Sequence, residues 1–318
     1  GIAPAVGPTY GGLLVNSLGW RWIFIFLLPL LVLSLITGMV TIRQKGRLMK
    51  TEFDWLSLVT LILMFAGLTT GFANMGSQPL LSWLVLGSFA IVLIGTIAFI
   101  TRSLKITSPI VNLTLFARHR FARLAFAFLL FQLTALGLSF LVPNYIQLVN
   151  HGSAMLAGLI VLPGAALGAV TGPFGGRLLD QFGARKPVLS GVVLNLIAVI
   201  GLTCLAPDRL TNSTIIFLYI AFMVGAGLSF GNIMTSALAS LPDQSNGDGN
   251  AILNTLQQFA GAVGTSIAST IVAASQANHA RPLDQATAMG TQHALLVLLV
   301  ALLLELALVY WTLPRDDR

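Results

Sequence analysis

The sequence predicts an all-α polytopic membrane protein, on three observations. Hydrophobic residues make up 56% of its 318 positions and charged residues only 8%, against about 25% charged in an average soluble domain. So few charges cannot solvate a water-facing surface. Ten apolar segments recur along the chain, separated by polar stretches. Their interiors are rich in Leu, Ala, Gly and Phe and show no period-two alternation, which excludes a membrane β-barrel.

The segments fall at about 1–15, 22–42, 54–75, 80–101, 121–148, 153–175, 187–206, 213–238, 250–275 and 290–313. The last nine reach the ~20 apolar residues needed to cross ~30 Å of hydrocarbon. The first is short, and Gly1 opens it with no initiator Met and no preceding charge. Upstream residues are therefore expected to be missing. No secretory signal with a cleavage site is visible. The single cysteine, Cys204, lies in an apolar run and cannot form an internal disulfide.

The first segment carries Gly7-Pro8-Thr9-Tyr10-Gly11-Gly12. Glycine lets two membrane helices approach backbone to backbone, and proline bends a helix where neighbours compensate the lost donor. Ala3, Gly7 and Gly11 recur every four residues and form one smooth face. Simple helix packing would use a bare GxxxG just as well.

Basic residues fill alternate loops. Arg43, Lys45, Arg47 and Lys50, then Arg102, Lys105, Arg118, Arg120 and Arg123, then Arg177, Arg185 and Lys186, then Arg315 and Arg318 share one side if every segment crosses once. Arg21, Arg209 and Arg281 take the other. The positive-inside rule makes the richer side, with the C-terminus, cytoplasmic. Residues 239–249 break the pattern, with Asp243 and Asp248 and no Lys or Arg. The net charge of +7 thus reads as topology and contact with anionic lipid heads. Scattered basic residues without aromatic interleaving speak against a nucleic-acid partner. The longest polar stretch, 102–119, sets Leu113, Leu115 and Phe116 between Pro109, Asn112 and Arg118. It reads as an amphipathic linker lying on the membrane surface. Six segments follow it.

A second motif runs from Gly176 to Lys186, GRLLDQFGARK. Gly176 and Gly183 permit a tight turn. Asp180 is expected just before the next helix, where a carboxylate meets the positive dipole end and can pair with an arginine. Such a cluster can latch two bundles in one state and release them in another. An ordinary positive-inside loop with a helix cap fits the same residues.

These motifs resemble those of the major facilitator superfamily. The GPxxGG segment is similar to the antiporter motif on the fifth helix of its drug exporters, and the Gly176–Lys186 stretch resembles its GxLxDxxGxR/K loop in the second-half copy. Trp20-Arg21-Trp22-Ile23-Phe24, Phe53-Asp54-Trp55, Leu113-Thr114-Leu115-Phe116 with Phe121, and Asn250-Ala251-Ile252-Leu253-Asn254-Thr255 leading to Gly261 and Gly264 resemble the fourteen-span, EmrB/QacA-like drug/proton antiporters. The resemblance implies the major facilitator fold with about ten of fourteen transmembrane helices present and the N-terminus truncated. Residues 1–42 would be the last two helices of the N-terminal bundle, the first of them truncated. Residues 43–101 would be a cytoplasmic loop plus two extra central helices, 102–119 the linker, 120–314 the C-terminal six-helix bundle and 315–318 a cytoplasmic tail. Ala3 stands where the family usually has glycine, and helices one to four, which carry the family's best-attested coupling residues, are absent.

The implied function is proton-coupled export of small lipophilic drugs or toxic compounds by alternating access across a bacterial cytoplasmic membrane. Gly7, Pro8, Gly11 and Gly12 would form the contact between halves. Gly176, Asp180, Gly183 and Arg185 would form the cytoplasmic latch. The proton gradient would serve as coupling source, with no cofactor. Partners would be a small-molecule substrate, the lipid bilayer and, in a Gram-negative source, a periplasmic adaptor. Export of a dedicated metabolite or siderophore fits the same motifs, because cavity shape sets specificity. A non-transporting membrane sensor or scaffold is the alternative of another class.

Asn250, Asn254, Gln257, Gly261 and Thr265 fall on one helical stripe with Gln258 beside it. Amides on a membrane helix are costly unless they face other helices or a water-filled cavity. The stripe, with Gln132, is the candidate cavity lining; interhelical glue is its structural counterpart. Phe131 and Tyr145 could hold lipophilic cations or simply pack. Glu305 is the one acid well inside an apolar segment, a candidate protonation site or else a protonated or snorkelling structural residue. Gly227-Leu228-Ser229-Phe230-Gly231 matches G-x-S-x-G without the strand-turn-helix context of a nucleophile elbow. His279 and His293 offer no further support for a serine protease. No P-loop occurs, and the four His with the lone Cys lack metal-ligand spacing. No enzyme is expected.

Overall fold

The computed structural model describes residues 11, 14, 17–41, 54–75, 78, 81–106, 109–207, 210–277 and 281–314. Gly7, Pro8 and Gly12 of the first motif lie outside the described residues, as do the basic residues of 43–50 and the Arg209, His279, Arg315 and Arg318 positions.

Nine long helices follow one another among the described residues, with no strand between them. They are α1 (Arg21–Thr41), α2 (Trp55–Met75), α3 (Trp83–Ser103), α4 (His119–Leu148), α5 (Ala154–Phe182), α6 (Arg185–Leu205), α7 (Asn212–Leu238), α8 (Asn246–Gln276) and α9 (Leu283–Thr312). In lipid every backbone polar group needs an internal partner, and a helix supplies one from its own turns. Three of the starts are capped by hydroxyls. Ser82, Ser153 and Thr211 accept from the backbone N–H of Val85, Leu156 and Thr214 at 3.4, 3.1 and 3.3 Å. Asn112 does the same for the 3-10 turn Leu113–Ala117 that leads into α4.

Eight of the nine are both long and apolar enough to cross a membrane. The exception corrects the expectation that all nine complete segments would meet that mark. At 31 residues α8 spans about 46 Å at 1.5 Å per residue, ample for any bilayer. Its Asn250, Asn254, Gln257 and Gln258 lower its apolarity, so its transfer into lipid depends on its neighbours.

Helices α4 to α9 share one core. Helix α7 packs tightly between α5 and α6, while α4 packs on α8 and α9. The α7 contacts run through glycine. A Cβ on Gly168 would meet Met223 O at 2.7 Å, one on Gly175 would meet Gly227 O at 2.8 Å, and one on Gly191 would meet Gly225 O at 2.6 Å. Such approach puts backbone against backbone, which is how membrane helices gain van der Waals contact when lipid offers no hydrophobic drive. Asn232 bolts the seam, donating to Gly175 O at 2.9 Å. Helices α2 and α3 form a hairpin, and α2 rests on α8. No residue of α1 is buried.

The turn between α5 and α6 differs from expectation. Helix α5 continues to Phe182, so Asp180 stands exposed in its last turn, and α6 begins at Arg185 with no side-chain cap. Asp180 is therefore not a cap of the next helix. Gly183 ends α5 at φ 75°, ψ 169°, a region essentially reserved for glycine, where other residues pay about 1–3 kcal/mol. Gly183→Ala should thus lower stability by about that amount, read as a fall in the thermal unfolding midpoint of the purified protein. Gly176→Ala, with open space around its Cβ position, should stay within about 0.5 kcal/mol.

Candidate functional site

Helix α8 carries the amides that sequence reading singled out. Asn250, Asn254 and Gln258 are exposed and Gln257 is partly so. Asn254 Nδ2 donates to Asn250 O of its own helix at 2.9 Å. The stripe does not stay open along its length. A Cβ on Gly261 would meet Leu136 Cδ1 of α4 at 2.6 Å, and Thr265 turns back to Gly261 O at 2.5 Å. Gly264 lies directly against Leu133 O. The polar face is thus open over its first three turns and closes against α4 beyond them.

Gln132 of α4 departs from that face: it is only 6% exposed, an interior amide rather than an open one. The aromatics are packing groups. Phe131 stacks parallel to Phe222 at 6.5 Å, and Tyr145 is buried with its hydroxyl donating to Ala206 O at 2.7 Å. Glu305 is fully buried, and neither of its carboxyl oxygens has a hydrogen-bond partner among the described residues. Its burial rules out snorkelling to the interface. Helix α9 packs on α4, α6 and α8, and Glu305 sits on its inward face with Leu302 and Val309.

The loop motif is divided between two partners. Arg185 lies over the Tyr310 ring at 4.7 Å and donates from Nη1 to Leu313 O at 2.8 Å. Its guanidinium therefore ties the start of α6 to the end of α9, and Asp180 forms no ion pair among the described residues. Gly11 is half-buried, with nothing within 4 Å of its Cβ position. Ser229 is fully buried and spends its hydroxyl on Gly225 O, one turn back in α7, at 2.9 Å. A serine so placed meets no substrate.

Sequence reading missed what covers α8. Phe65 of α2 meets Phe259 edge-on at 6.0 Å, and Thr270 Oγ1 donates to Phe72 O at 3.0 Å. Asn112 of the linker donates to Asp248 at 3.0 Å. At its base the hairpin is closed by Asp54, which caps α2 through Ser57 and takes Arg102 of α3 at 3.2 Å. That is the one salt bridge among the described residues. The signal was the Asp54-Trp55 start of an apolar run matched by Arg102 at the close of the next.

Together these features define a multi-pass helical membrane protein with an open polar face on one helix of its bundle. The chain belongs to the Major Facilitator Superfamily, whose profile matches residues 1–265. It is 36% identical over 279 residues to the lincomycin resistance protein LmrB of Listeria innocua, covering 86% of this chain and 58% of that protein. It is 33% identical over 316 residues to LmrB of Bacillus subtilis, covering 96% and 66%. To the multidrug transporter protein MdtP of Bacillus subtilis it is 27% identical over 278 residues, covering 86% and 50%. The chain thus spans about half to two thirds of these relatives' length.

The Ser57 hydroxyl, and then the Arg102 guanidinium, hold the Asp54 carboxyl below the usual carboxylate range. A depressed folded pKa stabilises the fold at pH above the unfolded value of ~3.9 and loses that effect as pH falls through the folded value. Amide protection in the first turn of α2, taken relative to the intrinsic exchange rate at each pH, should therefore fall on acidification below about pH 4. In Asp54→Ala, which removes the cap, protection should be low already at neutral pH and change little with acid.

Proposed function

We propose that this chain is the C-terminal portion of a fourteen-span transporter that exports small lipophilic drugs or toxic compounds in exchange for protons. The observation that carries this reading is the open amide face of Asn250, Asn254 and Gln258, none of which bonds to another helix among the described residues. Exposed amides on a membrane helix need other helices, water or a ligand, and a central water-filled path supplies the last two. The names of the relatives, a lincomycin resistance protein and a multidrug transporter, favour drugs as the substrate class.

In this reading the bundles rock about a site near the bilayer midplane. Gly7, Pro8, Gly11 and Gly12 would lie against helices of the upstream half and limit leakage. Asp180 would meet its latch partner there too, while Arg185 holds the C-terminal bundle together. Glu305 is the candidate protonation site within this chain, with the principal coupling residues upstream. The basic loops and C-terminus would face the cytoplasm of a bacterial cell, by charge asymmetry, and a periplasmic adaptor would join if the source is Gram-negative.

The test is drug-dependent proton flux in inverted vesicles carrying the full-length protein. With the lumen made acid beforehand, drug addition should alkalinise it, protons leaving as drug enters, and an uncoupler should abolish the response. Asn254→Leu with Gln258→Leu should raise the half-saturating drug concentration roughly threefold to tenfold, the loss of one or two hydrogen bonds. A folded, membrane-inserted wild type that moves neither drug nor proton would replace this reading with a sensor or scaffold. Flux with one metabolite alone would make it a dedicated exporter.

A further inference from the structure

An open cleft of about 360 Å³ lies away from the amide face, between the linker and the ends of three helices. Phe116 of the linker turn, Ala122, Phe126 and Leu129 of α4, Leu256 of α8 and Leu308 of α9 make its walls. Arg123 is its one charged lining residue. The helix geometry sets these groups at different depths. Arg123 stands one turn into α4, which begins at His119, and Leu129 lies roughly 9 Å deeper at 1.5 Å per residue. The opposite wall, Leu308, is likewise one turn from the end of α9. The guanidinium is therefore at the membrane boundary and the apolar wall runs inward from it.

Charge decides the occupant. Arg118, Arg120 and Arg123 are all exposed and none has an acidic partner among the described residues. They crowd the first turns of α4, where the helix dipole adds further positive potential. A lipophilic cation would be repelled. A small free anion would be drawn to the arginines but would gain nothing from walls of Phe, Leu and Ala, of which Phe126 is 52% exposed. A molecule with a phosphate at one end and hydrocarbon at the other satisfies both.

We propose that this cleft is a binding site for one anionic phospholipid, its phosphate on Arg123 and one acyl chain along Phe126, Leu129, Leu256 and Leu308. The headgroup reaches Arg118 or Arg120 at the rim. Phe116 joins the linker to the site, so an occupied cleft holds the linker turn against α4. The site does not depend on the transport reading or on which side of the membrane the basic loops face.

Native mass spectrometry of the full-length protein, titrated with phosphatidylglycerol or phosphatidylcholine of the same acyl chains, tests it. The wild type should retain one phosphatidylglycerol in preference to phosphatidylcholine. Arg123→Gln should lower phosphatidylglycerol retention about fivefold, the effect of one basic residue near an anionic headgroup, and weaken phosphatidylcholine less, because its choline already offsets the phosphate charge. Leu308→Trp fills the cleft and should lose both lipids; Ala122→Leu narrows it from the other wall and should do the same if the tryptophan variant fails to fold. Arg177→Gln, at an exposed arginine outside the cleft, should bind as wild type. Unchanged phosphatidylglycerol retention in Arg123→Gln and in the folded cleft-filling variant would overturn the proposal. So would displacement of the lipid by inorganic phosphate at equal concentration, which would make the site one for a free anion.

Discussion

The structure hangs on backbone contact between α7 and the two helices that hold it. In hydrocarbon, apolar side chains gain little by leaving lipid for one another, so helices adhere through close packing and interhelical hydrogen bonds. Gly168, Gly175, Gly191, Gly225 and Gly227 remove the side chains that would keep α5, α6 and α7 apart. Asn232 then finds a carbonyl across the seam, at Gly175. Everything outside that sandwich is arranged around a rigid centre: α4 packs on α7 and carries α8 and α9 on its other sides.

Helix α8 is held under a different constraint. It is the least apolar of the long helices, yet its last four turns are covered on two sides, by α4 through Gly261 and Gly264 and by α2 through Phe72. The result is a helix packed along its length on one side, with an open polar face over its first turns. Close glycine contact and exposed amides occur on the same element within about four turns, and the transition between them lies near Gly261.

Much of this was legible in the residues. Hydropathy located the nine described helices by their apolar runs, eight of them apolar enough to cross a membrane and α8 not. It misjudged several ends in the same direction. Helix α5 runs seven residues past the expected 175, and α9 starts at 283 rather than 290. Hydropathy falls where hydrocarbon ends, whereas backbone hydrogen bonding continues into the polar zone until a residue such as Gly183 stops it. Asp180 was displaced from cap to helix end by that error. Stripe spacing put Asn250, Asn254, Gln257, Gly261 and Thr265 on one face with Gln258 beside it, but could not show that the face closes where Gly261 meets Leu136. Nor could it show that Gln132 is interior, since periodicity names a face and not the neighbour behind it. The Asp54–Arg102 pair needed the hairpin to join residues 48 positions apart.

The clasp of Arg185 on Tyr310 and Leu313 joins two points 128 positions apart in the chain. During synthesis the domain grows from its N-terminal side, so α6 enters the bilayer long before its clasp exists. Until Leu313 leaves the ribosome, α6 is held by its glycine contacts with α7 and not by this clasp. The closing of the bundle is therefore an event of the last helix. A transcript that ends within α9 would give a chain whose glycine seam is complete and whose Arg185 clasp is missing.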